Sequence, residues 1–94
     1  MRTNMNMGMV AKAIQAARRR DEAGLAVASR VGGQIMRARK AAGLRQVDLA
    51  EKLATSQGTI ARLEGGRGYP GVRMLARIAE ATGRKLVIEL REKD

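Results

Sequence analysis

A chain with one Tyr and neither Phe nor Trp must fill its core with Leu, Ile, Val, Ala and Met. No other feature narrows the fold as much. Sandwiches and barrels draw heavily on aromatic and β-branched side chains, whereas aliphatic residues at helical spacing suit a bundle. The chain has 94 residues, 45% of them apolar, which is enough for one core. The expected class is all-α.

The apolar pattern divides the chain. Residues 1–8 show neither period nor cap and read as a flexible arm. From Met9 to Arg30, Val10, Ile14, Ala17, Leu25 and Ala28 recur at helical spacing. Arg18-Arg19-Arg20 and Asp21-Glu22 interrupt that stripe. With Gly24, they suggest two shorter helices with a break near residues 20–24. Residues 31–83 hold the remaining helices. Val31–Ala42 puts Val31, Ile35 and Ala38 on one face, and Gly43 ends it where a left-handed residue is wanted. Gln46–Leu53 carries Val47, Leu49, Ala50 and Leu53. Ser56 is an N-cap for Gln57–Glu64, whose buried residues are Ile60 and Leu63. Residues 65–70 form a Gly-rich loop, and Val72–Thr82 turns Val72, Leu75, Ile78 and Ala79 inward.

After Gly83 the period drops from 3.6 to 2, and residues 84–94 read as a strand and tail. Leu86, Ile88 and Leu90 alternate with Val87 and Glu89. A lone strand leaves its backbone groups unpaired. The simplest partner is the same strand of a second copy about a two-fold axis, which makes Leu86, Val87, Ile88, Glu89 and Leu90 dimerisation residues. The alternative is an edge strand that pairs with a different protein.

Charge narrows the function. Lys and Arg number 19 against 9 Asp and Glu, giving +10, which favours a polyanionic partner such as DNA or RNA. The absence of Cys and His excludes disulfides, thiolate catalysis and the commonest general base and metal ligand. The acids show no metal-binding or acid–base spacing, so no enzyme, metal, cofactor or small-molecule substrate is expected. No apolar run reaches the ~20 residues that span a bilayer, and no secretory signal is visible. The expected location is cytoplasmic, with no membrane partner.

The two short helices at 46–53 and 57–64, joined by a tight turn, fit a helix-turn-helix. Ala50 is small where the helices cross. Gln57, Gly58, Thr59, Ala61 and Arg62 are left at the edge or outside, and the N-terminal residues of such a helix meet base edges. Gln57 suits adenine, Arg62 a guanine or a phosphate, and Thr59 a phosphate or a thymine methyl. Arg67 and Tyr69 lie in the glycine loop as phosphate contacts, with packing of Tyr69 on Pro70 equally open.

These residues carry a resemblance. Positions 31–83, VGGQIMRARKAAGLRQVDLAEKLATSQGTIARLEGGRGYPGVRMLARIAEATG, resemble the Xre family of helix-turn-helix proteins, which includes the lambdoid phage repressors. The resemblance implies a five-helix lambda-repressor-like domain, here with an extra N-terminal helix. It also implies a homodimer on an inverted repeat of double-stranded DNA, read by the helix starting at Gln57. It implies further that Gln46 holds a phosphate through its side-chain amide and that Arg39 and Glu64 form an internal ion pair. Four positions depart from the pattern. Arg45 replaces a Ser or Thr cap and adds a cation near the phosphates. Ala54 replaces a turn Gly, Thr55 an apolar residue, and Gly58 a side chain that often reads bases. Direct readout is then sparse, and DNA shape matters more. The candidate DNA-binding set is Arg45, Gln46, Thr55, Ser56, Gln57, Gly58, Thr59, Arg62, Arg67 and Tyr69.

The lead-in LAVASRVGGQIMRARKAAGL and the ending ATGRKLVIELRE together resemble HigA-type antitoxins, which pair with RelE-like ribonuclease toxins. The ending is also similar to the dimerising strand of HipB-type antitoxins, whose partner is a HipA-like kinase. The resemblance implies a protein that neutralises a toxin and represses its own operon. On that reading the N-terminal segment, residues 1–30, is a surface for the toxin, or its helix covers the dimer core. The alternative is a stand-alone, prophage-like Xre-type repressor.

Overall fold

The computed structural model describes residues 7–93. Among the described residues there are four helices: α1 (Met7–Ala41), α2 (Gln46–Lys52), α3 (Gln57–Glu64) and α4 (Val72–Ala81). The expected five helices of the domain are therefore corrected, while the extra N-terminal helix is present as the first half of α1. That helix and the first helix of the domain are one helix of 35 residues. The break near residues 20–24 does not form. Gly24 alone costs about 1 kcal/mol relative to Ala, and with no Pro nearby the Ala-rich flanks carry the helix through. The last two residues of the expected arm, Met7 and Gly8, lie in the first turn of α1; residues 1–6 lie outside the described residues. At 1.5 Å per residue α1 is about 52 Å long, which accounts for most of the 61 Å long dimension.

The core is aliphatic throughout. Leu49 and Ile60 are fully enclosed, with Ile35, Ala50, Leu53, Leu63 and Ile78 packed round them. Val31, Leu44, Met74 and Leu75 close the edges. Val72, expected inward, is corrected: it is 65% exposed, and Val47 of the apolar set on α2 is 46% exposed. Periodicity fixes the face of a helix but not how far its neighbours reach along it.

All four helices end alike. Beyond each C-cap, Gly43, Ala54, Gly66 and Gly83 have φ between 53° and 74°. The next N–H closes five residues back: Leu44 to Arg39, Thr55 to Ala50, Arg67 to Arg62, Arg84 to Ala79, at 2.8–3.1 Å. This is the Schellman closure, and it uses carbonyls that the helix leaves open. Only in the turn between α2 and α3 does a residue with a Cβ take the left-handed position.

Two glycines let α1 and the end of α3 approach. A Cβ on Gly32 would overlap the Leu63 carbonyl oxygen and sit 2.8 Å from that of Glu64. One on Gly66 would meet Ser29 Cα at 2.9 Å. Thus the α3 C-terminus rests directly on the backbone of α1. Arg77 of α4 donates to the Leu53 carbonyl at 2.7 Å and ties the last helix to the end of α2.

The C-terminal strand is the main correction. Among the described residues there is no strand, and residues 84–93 take no regular secondary structure. A strand needs a second strand to bond with, and no other described segment of this chain is extended beside it to supply one. Leu86 is half-buried, lining a shallow groove with Ile35, Ala38 and Ile78. Val87, Ile88, Glu89 and Leu90 are exposed.

Candidate nucleic-acid interface

The start of α3 is set by Ser56, whose backbone is extended and whose Oγ accepts the Thr59 N–H at 3.1 Å. The Ser56 and Thr59 hydroxyls are also hydrogen-bonded to each other at 2.9 Å. This cap uses one of the four N–H groups a helix start leaves open. Gln57 and Gly58, which follow, are exposed.

The start of α2 is built differently. An arginine side chain has no acceptor and cannot cap a helix. Asp48 supplies the reciprocal half instead, accepting the Arg45 backbone N–H at 2.8 Å. The same carboxylate takes the Arg45 guanidinium through Nε at 3.0 Å and Nη2 at 2.9 Å. Those hydrogen bonds hold the Asp48 carboxyl down at about 2. The cation expected to stand near the phosphates is therefore engaged by a carboxylate, although its side chain stays 77% exposed.

Between these two helix starts runs a line of side chains. Arg39 of α1 and Glu64 of α3 form a two-pronged ion pair, Nε to Oε2 at 2.6 Å and Nη2 to Oε1 at 2.9 Å. Both side chains are under 10% exposed. Arg39 also donates to the Leu44 carbonyl at 2.8 Å, so the pair pins the turn after α1 as well. Burial pushes the Glu64 carboxyl up, but hydrogen bonds from Arg39 and Gln46 outweigh it and leave it below its ordinary value. Gln46 Nε2 donates to Glu64 Oε1 at 3.1 Å. Gln57 Nε2 donates to Gln46 Oε1 at 2.7 Å. The ends of α2 and α3 are thereby locked together, and the line finishes at an exposed amide.

The remaining candidates are placed as follows. Arg62 is exposed on α3, and Thr55 and Thr59 are half-buried. Arg67 is exposed in the loop. Tyr69 is 70% exposed and stands beside α1, where a Cβ on Gly24 would touch its ring and hydroxyl at 3.8 Å. With Pro70, Val27, Val31 and Leu75 it lines an apolar groove of about 450 Å³. Gly58 is open: a Cβ there would meet nothing closer than Ser56 Oγ at 3.9 Å. The links from Gln46 to Gln57 and from Arg77 to Leu53 were not legible in the sequence, because hydrogen bonds between separate helices leave no period. Among the described residues no group of acids could hold a metal ion, and no helix is long and apolar enough to cross a membrane.

A family model described as Helix-turn-helix matches residues 35–88, more than half of the chain. No curated protein and no solved structure matches it.

Proposed function

Because the chain belongs to the Helix-turn-helix family and so is a DNA-binding regulator of transcription, we propose that it is an antitoxin that represses its own operon as a homodimer on an inverted repeat. In this reading the start of α3 enters the major groove. Gln57 meets an adenine, with Thr59 and Arg62 beside it. Gln46 has a second N–H for a phosphate beyond the one given to Glu64. Arg45, Thr55, Ser56, Arg67 and Tyr69 flank the backbone. The observation that carries the DNA reading is the hydrogen bond joining the starts of α2 and α3 into one surface.

The antitoxin part rests on α1. Its N-terminal half runs past the packed helices and leaves Met7, Ile14 and Leu25, which share one face, exposed at 46–79%. A helix with such a face suits a partner's groove. We assign it to the toxin, a RelE-like ribonuclease or, in second place, a HipA-like kinase. One observation favours a stand-alone repressor: Arg18 is exposed on the same helix, which is unfavourable against a basic ribonuclease. The test has two arms. The protein should shift a duplex from upstream of its own gene at lower concentration than a random duplex of equal length. It should also co-purify with the product of the adjacent reading frame. Binding without co-purification would leave a stand-alone repressor, and no preference between the duplexes would remove the operator.

A further inference from the structure

A glutamine amide on a protein surface has no fixed polarity. Its oxygen and nitrogen ends have nearly the same shape, and the last torsion turns with little resistance. Gln57 is not such a residue. A carboxylate accepts hydrogen bonds and donates none. Glu64 is held by Arg39 on both oxygens, and its Oε1 also accepts from Gln46. Gln46 must therefore turn its NH2 towards Glu64 and its carbonyl towards α3. That carbonyl accepts from Gln57 at 2.7 Å. If Gln57 turned over, two amide oxygens would face each other at that distance.

We propose that Glu64 is a positioning residue for DNA reading: acting through Gln46, it fixes which end of the Gln57 amide meets the base edge. The proposal rests on the DNA-reading role assigned above. It also accounts for a preference. One N–H of Gln57 is committed to Gln46, which leaves one N–H and the oxygen for the groove. Adenine offers the matching acceptor and donor there, N7 and the N6 amino group. Guanine offers two acceptors, N7 and O6, and a side chain with one N–H left cannot serve both. The buried ion pair between α1 and α3 thus reaches the reading face through two amides, with Arg39 fixing the carboxylate at the inner end.

The test uses the full chain and a pool of random-sequence duplexes, selected in parallel by the wild type, Gln57→Ala, Gln46→Met and Glu64→Gln. Gln57→Ala identifies the base pair that Gln57 reads. At that pair the wild type should prefer adenine over guanine by about tenfold or more. Gln46→Met and Glu64→Gln should both lose this preference, while preferences at other positions remain. Loss of a phosphate contact would instead weaken all sequences by a common factor. Gln46→Met leaves the ion pair in place, so it reports even if Glu64→Gln fails to fold. An adenine preference that survives Gln46→Met overturns the proposal and leaves the DNA-reading role standing. A wild type that enriches no sequence overturns both.

Discussion

Ala54 stands alone among the helix ends in taking a left-handed conformation with a Cβ, at φ 53°. Such a conformation costs an ordinary residue about 1–2 kcal/mol. Glycine removes that cost but gives the unfolded chain about 0.4–1 kcal/mol of extra entropy. Ala54→Gly should therefore stabilise the protein by about 1 kcal/mol. The urea midpoint should rise with an unchanged slope, and a lower midpoint would show that the methyl makes contacts worth more than the strain. The Arg39–Glu64 pair makes the opposite kind of prediction. Arg39→Met leaves a carboxylate that is 4% exposed without its partner and should cost about 3–5 kcal/mol. Acid should act in the same sense. The folded-state value of Glu64 lies below the ordinary 4.5. Its contribution is complete above that value and is lost as pH falls below it. Unfolding followed through that range should show a decline in the wild type that is smaller in Glu64→Gln. The pair Arg39 and Glu64 came from a resemblance, whereas the place of Gln46 between Glu64 and Gln57 came from the packing of α2 against α3.

At the scale of elements, the crossing of α1 over α3 depends on a missing side chain. Gly32→Ala would gain helix propensity in α1, yet its methyl has no room against the Leu63 and Glu64 carbonyls. Backbone cannot move aside as a side-chain tip can, so a net loss of about 2 kcal/mol or more is expected in thermal or urea unfolding. An unchanged stability would mean that the helices slide apart without cost. Gly58 gives the contrast, because space is open there. Gly58→Ala should stabilise α3 by up to about 1 kcal/mol. The boundaries of α3 were legible in advance because Ser56 and the glycine loop punctuate it chemically. The continuity of α1 was not. Its charge run and Gly24 look like an interruption, but neither removes a backbone hydrogen bond.

At the scale of the whole molecule two apolar features stand exposed. Met7, Ile14 and Leu25 on α1 are one, and Val87, Ile88 and Leu90 in the tail are the other, exposed at 59–102%. If the tails pair between copies, removing residues 85–94 should turn dimers into monomers in sedimentation. Dimers that persist would place the contact on α1 instead. A net charge of +10 should also make DNA affinity fall steeply with added salt, linearly in the logarithms. A shallow slope would mean that few of the cations reach phosphates.

The sequence by itself determined what is local or periodic. It specified helices in place of sheets, because the core residues are aliphatic and recur at 3.6. It specified the short turn and caps of the helix-turn-helix, because capping and left-handed closure are short-range chemistry. It specified a strongly cationic surface by count alone. The tertiary structure decided what depends on contact between distant residues. It made α1 one helix, left Val47 and Val72 outside, and put the Glu64 carboxylate behind Gln46 and Gln57. It also left residues 84–93 without a strand. Alternation along a chain shows that a segment can pair, but a ladder of hydrogen bonds needs a second strand, and the other described residues of this chain are helices and turns.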